Sequence, residues 1–103
     1  MSVIDDLKAA RDEVEKGWCK FALEDKEGNV CVLGAIQRAI DWNAFHTTVP
    51  NGHRLFVAID ALARVLPEFA KGSVVVYNNH SSTTKEDVLN LFDKALADLG
   101  GLA

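Results

Sequence analysis

Cysteine is scarce in this chain. Only Cys19 and Cys31 occur, and no Cys-x-x-Cys pair is present. The three histidines, His46, His53 and His80, lack zinc-finger spacing. These shortages argue against a redox dithiol and a structural zinc, and no metal ligand or cofactor is assigned. A nucleophilic Cys19 would need a base, and nothing in the spacing brings His53 or His80 to it. No catalytic residue is assigned. Concentrated positive charge is also lacking. Eleven basic residues are dispersed among fifteen acidic ones, for a net charge of −4. Phosphate-backbone binding needs a basic stripe, so nucleic acid is excluded as a partner. The acidic excess is interspersed and reads as a solubility device rather than nucleic-acid mimicry. No apolar run approaches the ~20 residues that span a bilayer, so no membrane role is expected. Residues Met1–Asp6 carry acids where a secretion signal carries cations. The expected location is the cytoplasm, where two cysteines stay reduced.

What the chain does have is a patterned, 49% apolar composition without repeats or low-complexity segments. It reads as one domain over residues 1–103, long enough to bury roughly two-thirds of its unfolded surface. Ser2 and Asp5 form a capping-box pattern, and Val3, Ile4, Leu7, Ala10 and Val14 follow at helical spacing. The first helix is expected over residues 3–16, with Lys16 favouring its C-terminus and Gly17 supplying a positive φ. Asp12 and Lys16 are spaced as an i,i+4 ion pair. Residues 18–29 form a connection, with a short extended piece at Phe21–Leu23 and a turn at Glu27-Gly28-Asn29. Asn29 is the expected N-cap of the second helix, which carries Val32, Leu33, Ile36 and Ile40. Gly34 lies inside that helix at a cost of up to about 1 kcal/mol relative to alanine. A close helix–helix crossing would offset that cost.

Asn43–Gly52 reads as a loop, followed by a third helix with Leu55, Phe56, Ile59, Leu62 and Leu66 on one face and Pro67 as its stop. Val74-Val75-Val76-Tyr77 has the composition of a strand but no obvious partner. A capping box at Thr83/Glu86 or Thr84/Asp87 starts the last helix, with Val88, Leu89, Phe92, Leu96 and Leu99 inside and Gly100 after its end. The expected fold is mainly α: a small compact four-helix domain that leaves open one short marginal β element at Val74–Tyr77. Ile4, Leu7, Val14, Leu33, Ile36, Ile40, Leu55, Ile59, Leu62, Val88, Phe92 and Leu96, with Trp18, Cys19 and Cys31, are its expected core.

Three places invite a functional reading. Trp18, Cys19, Cys31 and Gly34 cluster around a polar turn and look at first like a site, but they read better as a structural corner. Free thiols are commonly buried. Trp18 either floors a ligand pocket or covers the core with its indole N–H bonded to a backbone carbonyl. Trp42, Phe45 and His46 form either an exposed binding patch or a packed loop anchor. Tyr77, Asn78, Asn79 and His80 gather hydrogen-bonding side chains before a helix N-terminus, where an anion or carboxylate could be received. Against that, Asn78 and Asn79 suit turn geometry and Ser82–Thr84 suit capping.

The pieces Gly17-Trp18-Cys19, Asp25–Gly28, Cys31-Val32-Leu33-Gly34-Ala35, Tyr77-Asn78-Asn79 and Thr84–Leu89 together resemble an uncharacterised domain family of actinobacteria and their bacteriophages. The pattern departs at Tyr77 and Asn79, where tryptophan and aspartate are expected. The resemblance implies a bacterial or phage origin and a small accessory role, and it implies no catalytic residues.

Three functions stand on this sequence. The first is a small cytosolic accessory or interaction protein, phage-encoded and binding a host protein. The second is a small-molecule-binding or enzymatic domain that uses the Tyr77–His80 corner near Trp18. The third is a helical homo-oligomer through residues 34–40 or the last helix.

Overall fold

Residues 2–41 and 49–100 are described in the computed structural model, with 49–52 as backbone only. Among them are five α-helices: α1 (Val3–Lys16), α2 (Val32–Ala39), α3 (Val49–Ala63), α4 (Val74–Asn79) and α5 (Lys85–Asp98). A single 3-10 turn spans Glu68–Ala70. The fold is a mainly α small domain with no sheet among the described residues.

The two long terminal helices follow from their local signals. Ser2 Oγ accepts the Asp5 N–H at 3.2 Å, and Asp5 Oδ2 accepts the Ser2 N–H at 3.3 Å. Thr84 and Asp87 repeat the reciprocal cap at α5 with bonds of 3.2 and 2.9 Å. Leu7, Ala10 and Val14 fall on one face of α1 and are fully buried. They meet Val32, Ala35 and Ile36 of α2 and Val88, Phe92, Ala95 and Leu96 of α5. Each large apolar side chain so buried contributes about 1.5–3 kcal/mol. Leu55, Ala58 and Leu62 of α3 complete the core. The expected core members Ile4, Leu33 and Ile59 pack against it only partly buried.

Two forked ion pairs fix the helix directions. Asp6, almost fully buried in α1, receives Arg54 Nε at 3.1 Å and Nη2 at 2.7 Å from α3. Arg11 of α1 grips Asp93 of α5 at 2.7 and 3.2 Å. Lys16 pairs with Glu13 at 3.0 Å, one residue short of the expected Asp12 partner. Glu13 is also held by Arg38 of α2, while Asp12, Glu15 and Lys16 remain exposed.

Several expectations are corrected here. Val74–Tyr77 belongs to a helix, not a strand. Ser73 Oγ accepts the Val76 N–H at 3.2 Å and starts it. Val74 and Asn78, one turn apart, are the residues it buries. Three valines cost a helix only a few tenths of a kcal/mol each, and capping with burial outweighs that where no strand lies alongside. Among the described residues a short fifth helix thus joins the four expected ones. Gly17 ends α1 in extended backbone, φ 179°, rather than at positive φ. An added Cβ there would meet the Asn29 side-chain oxygen, and that amide would have to shift. The N-cap of α2 is Cys31, whose Sγ accepts the Gly34 N–H at 3.3 Å. Asn29 is instead bound into the turn by Asp25. The backbone of α3 begins at Val49, inside the expected loop, with Pro50 in its first turn, where a missing N–H costs nothing. The rest of that loop lies outside the described residues.

Candidate functional site

The connection from Gly17 to Val30 forms a strap across the end of α2. Its middle is folded back on Val30: Val30 N–H donates to Gly17 O at 2.9 Å, and Cys19 N–H donates to Val30 O at 3.0 Å. On the other flank, Cys31 N–H donates to Leu23 O at 3.3 Å, and Asp25 N–H donates to Asn29 O at 2.9 Å. These are isolated bridges, Trp18 with Val30 and Glu24 with Val30. The Leu23 carbonyl lies so close to Gly34 that an added Cβ would overlap it, with the carbonyl carbon only 2.8 Å away. Gly34 therefore permits a close approach, as expected, but of the strap's backbone rather than of another helix.

One side chain ties the strap to the helices. Asn78, 1% exposed, accepts at Oδ1 from Trp18 Nε1 at 2.7 Å and from Val32 N–H at 3.1 Å. Its Nδ2 donates to Cys19 O and to Asn79 Oδ1, each at 3.1 Å. Four bonds satisfy every donor and acceptor position that a buried amide needs. The indole of Trp18 thus finds a side-chain amide, not the expected backbone carbonyl. Asn78 is a long-range connector within α4, not a turn residue. Asn79 Oδ1 accepts the Phe21 N–H at 2.9 Å, and Lys20 Nζ donates to His80 O at 2.6 Å while lying 5.5 Å from the Trp18 ring.

What this anchoring holds is Phe21. Its backbone is in the left-handed region, φ 66°, which is costly for a bulky side chain. That replaces the extended conformation expected at Phe21–Leu23. The Phe21 residue is 78% exposed. It borders an apolar cleft of about 290 Å³ lined by Ala22, Leu23, Cys31, Leu33, Val75, Asn78 and Asn79 as well.

Tyr77 and His80 face another way. A groove of about 600 Å³ lies between the 3-10 turn, Tyr77 and α5, with Phe69, Asp87, Asn90 and Lys94 among its walls. Phe69 stands 5.7 Å from the Tyr77 ring and 4.6 Å from the His80 ring. Burial, with the nearby Asp87 charge second, raises the Tyr77 phenol's pKa above its usual range, so it stays a donor. Ser82 N–H donates to His80 Nδ1 at 3.1 Å, which puts the proton of the neutral ring on Nε2. Trp18 lines neither hollow.

The structure therefore brings Trp18, Asn78 and Asn79 together and sends Tyr77 to a separate groove. Trp42, Phe45 and His46 lie outside the described residues. Cys19 donates to Ala22 O at 3.5 Å and Asn29 O at 3.4 Å. Burial, with Asp25 next, raises its pKa, so the thiol is kept protonated and is a poor nucleophile. Among the described residues no three metal-ligating side chains gather. Phe21, Leu23, Leu33 and Val75 were given no site role from the sequence. The signal was present in Phe21-Ala22-Leu23, an apolar triplet inside a connection whose neighbours are polar.

Five helices among the described residues, closed by a polar corner and displaying an aromatic on a braced strap, define a small, mainly α domain with one buried asparagine as its hub. The chain belongs to DUF6197, a family of unknown function, whose family model matches residues 1–98. Neither the curated proteins nor the solved structures contain a match to it. No helix among the described residues is long and apolar enough to cross a membrane.

Proposed function

We propose that this protein is a small accessory interaction module that binds another protein through the surface centred on Phe21. The observation that carries the reading is Phe21 itself, a bulky residue in strained backbone, fixed by Asn79 and left exposed. Strain of this kind, about 1–3 kcal/mol, persists where surrounding structure over-determines it, and it clusters at ligand clamps. Exposed aromatics beside an apolar cleft are the usual anchors of protein contacts. Leu23 on the strap and Val75 on α4, both half exposed, line the same cleft and extend the apolar surface. The cytoplasmic setting proposed here rests on the two free thiols. The phage-encoded origin and host-protein target rest on the resemblance of the Gly17-Trp18-Cys19 corner and the Cys31–Ala35 helix start.

A photo-crosslinking phenylalanine analogue at position 21, expressed in bacterial cells, tests the reading. Discrete adducts are expected from position 21 and not from position 56, an equally exposed phenylalanine on α3. An adduct of twice the chain's mass would assign the surface to a homo-oligomer. The same smear from both positions would remove the interaction reading.

A second reading, a small-molecule site, is favoured by one observation. The groove beside Tyr77 and Phe69, at about 600 Å³, falls within the ~300–1,000 Å³ range of ligand pockets. A fragment screen by NMR that moves the Tyr77 and Asn90 signals would support it. A screen without hits would end it.

A further inference from the structure

The apolar cleft beside Phe21 continues past Leu23. A second hollow of about 290 Å³ begins there, lined by Leu23, Glu24, Gly34, Gln37, Arg38 and Asp41. Leu23 is the shared wall of two hollows of opposite character, apolar toward α4 and charged toward the C-terminal half of α2. The cation in the charged hollow is already committed. Arg38 donates from Nη1 to Glu13 at 3.2 Å, and from Nη2 to Glu24 at 2.5 Å and to Gly28 O at 3.2 Å. Asp41 pairs with no cation among the described residues. The adjoining turn adds Asp25 and Glu27 against Lys26, so the charged end carries an excess of acid.

We propose that the two hollows together receive one protein segment. It lays an apolar side chain against Phe21, Leu33 and Val75, passes over Leu23, and sets a lysine or arginine beside Glu24 and Asp41. The inference rests on the reading of Phe21 as an interaction surface and names the partner's chemistry. Three observations support it. Each hollow is at or below the lower bound of small-molecule pockets, ~300 Å³, but a peptide engages several side-chain anchors at fixed spacing. The charge at one end selects a basic residue and steers its approach. A second copy of this chain would bring a net charge of −4 against the same.

The test is selection of a random displayed peptide library on the immobilised full chain, followed by affinity measurement of enriched peptides at low and high salt. The expected winners pair an apolar residue with a lysine or arginine a few positions away. Their binding should weaken with salt. Asp41→Asn should cost about two- to fivefold, the worth of an exposed ion pair. Asparagine tolerates the positive φ of 54° at this position, so the fold should be kept. Phe21→Gly, also compatible with its backbone, should cost more than about tenfold. Circular dichroism checks both variants. Winners that are purely apolar and indifferent to Asp41→Asn would overturn the basic-segment inference and leave the Phe21 surface standing. No enrichment, or equal binding by Phe21→Gly, would overturn both.

Discussion

Between α1, α2 and α5 the fully buried contacts are apolar side chain on apolar side chain, with Leu7, Val14, Ile36 and Phe92 out of water and the Arg11–Asp93 and Glu13–Arg38 pairs outside them. At the α4 corner they are polar: one amide, Asn78, bonds an indole, two backbone groups and a neighbouring amide. The first region is non-directional and repairs small errors by repacking. The second is directional, and removing one member leaves its buried partners unsatisfied. The difference explains why the exposed aromatic sits at the second. Burial would draw Phe21 inward, whereas hydrogen bonds to its backbone fix it in place and leave its ring free.

The largest effect is expected in the apolar region. Phe92→Ala should lose about 3–5 kcal/mol of unfolding free energy by urea titration, with the strap and helices lost in one transition. A loss below 1 kcal/mol would mean that the α1–α5 interface is not the main store of stability.

Asn78→Ala comes next, at about 2–3 kcal/mol, since it strands the Trp18 and Val32 N–H groups. The expected sign of a separate corner is local: the Trp18 indole proton resonance should shift and exchange faster while α1 and α5 amides stay protected. Uniform loss of protection would dissolve the contrast between the regions.

Gly34→Ala sharpens it further. Alanine gains up to about 1 kcal/mol of helix propensity, but its Cβ meets Leu23 backbone, which cannot swing aside. A net loss of about 1–2 kcal/mol is expected from overpacking. A stabilised variant would show that the strap yields easily.

The smallest effect is on pH. Hydrogen bonding to Lys16, and then Arg38, lowers the pKa of Glu13 below its ordinary 4.5. Hydrogen bonding to Asn29 lowers that of Asp25 below its ordinary 3.8. A lowered folded pKa means that the stabilisation is complete above the ordinary value and disappears as pH falls through the folded one. Stability should therefore be flat from pH 7 to 5 and decline below about 4.5. Glu13→Gln should flatten the decline, and an unchanged slope would remove Glu13 from the account.

The legible parts of the sequence were those whose signals are local. Ser2/Asp5 and Thr84/Asp87 sit three residues apart, and the apolar periodicity of α1 and α5 lies within each helix. Gly34 announced a close approach through its cost, but its partner, Leu23, is named only by the tertiary fold. Val74–Val76 misled because β-branched content outweighs the single serine cap to the eye, though not in energy. Asn78 was singled out for its type and turn setting, while three of its four partners lie 46 to 60 residues away. Nothing in the sequence marks a phenylalanine for the left-handed region, so the exposed Phe21 became visible only with its φ.

The separation of those partners has a kinetic consequence. Joining Trp18 to Asn78 closes a loop of 60 residues, whereas α1 meets α2 across a short strap. Loop closure must precede the bonds that reward it, so contacts of such span form late. The corner therefore forms only after distant parts of the chain have met, as does the still longer Arg11–Asp93 contact between α1 and α5, and the surface around Phe21 exists only once that closure is made.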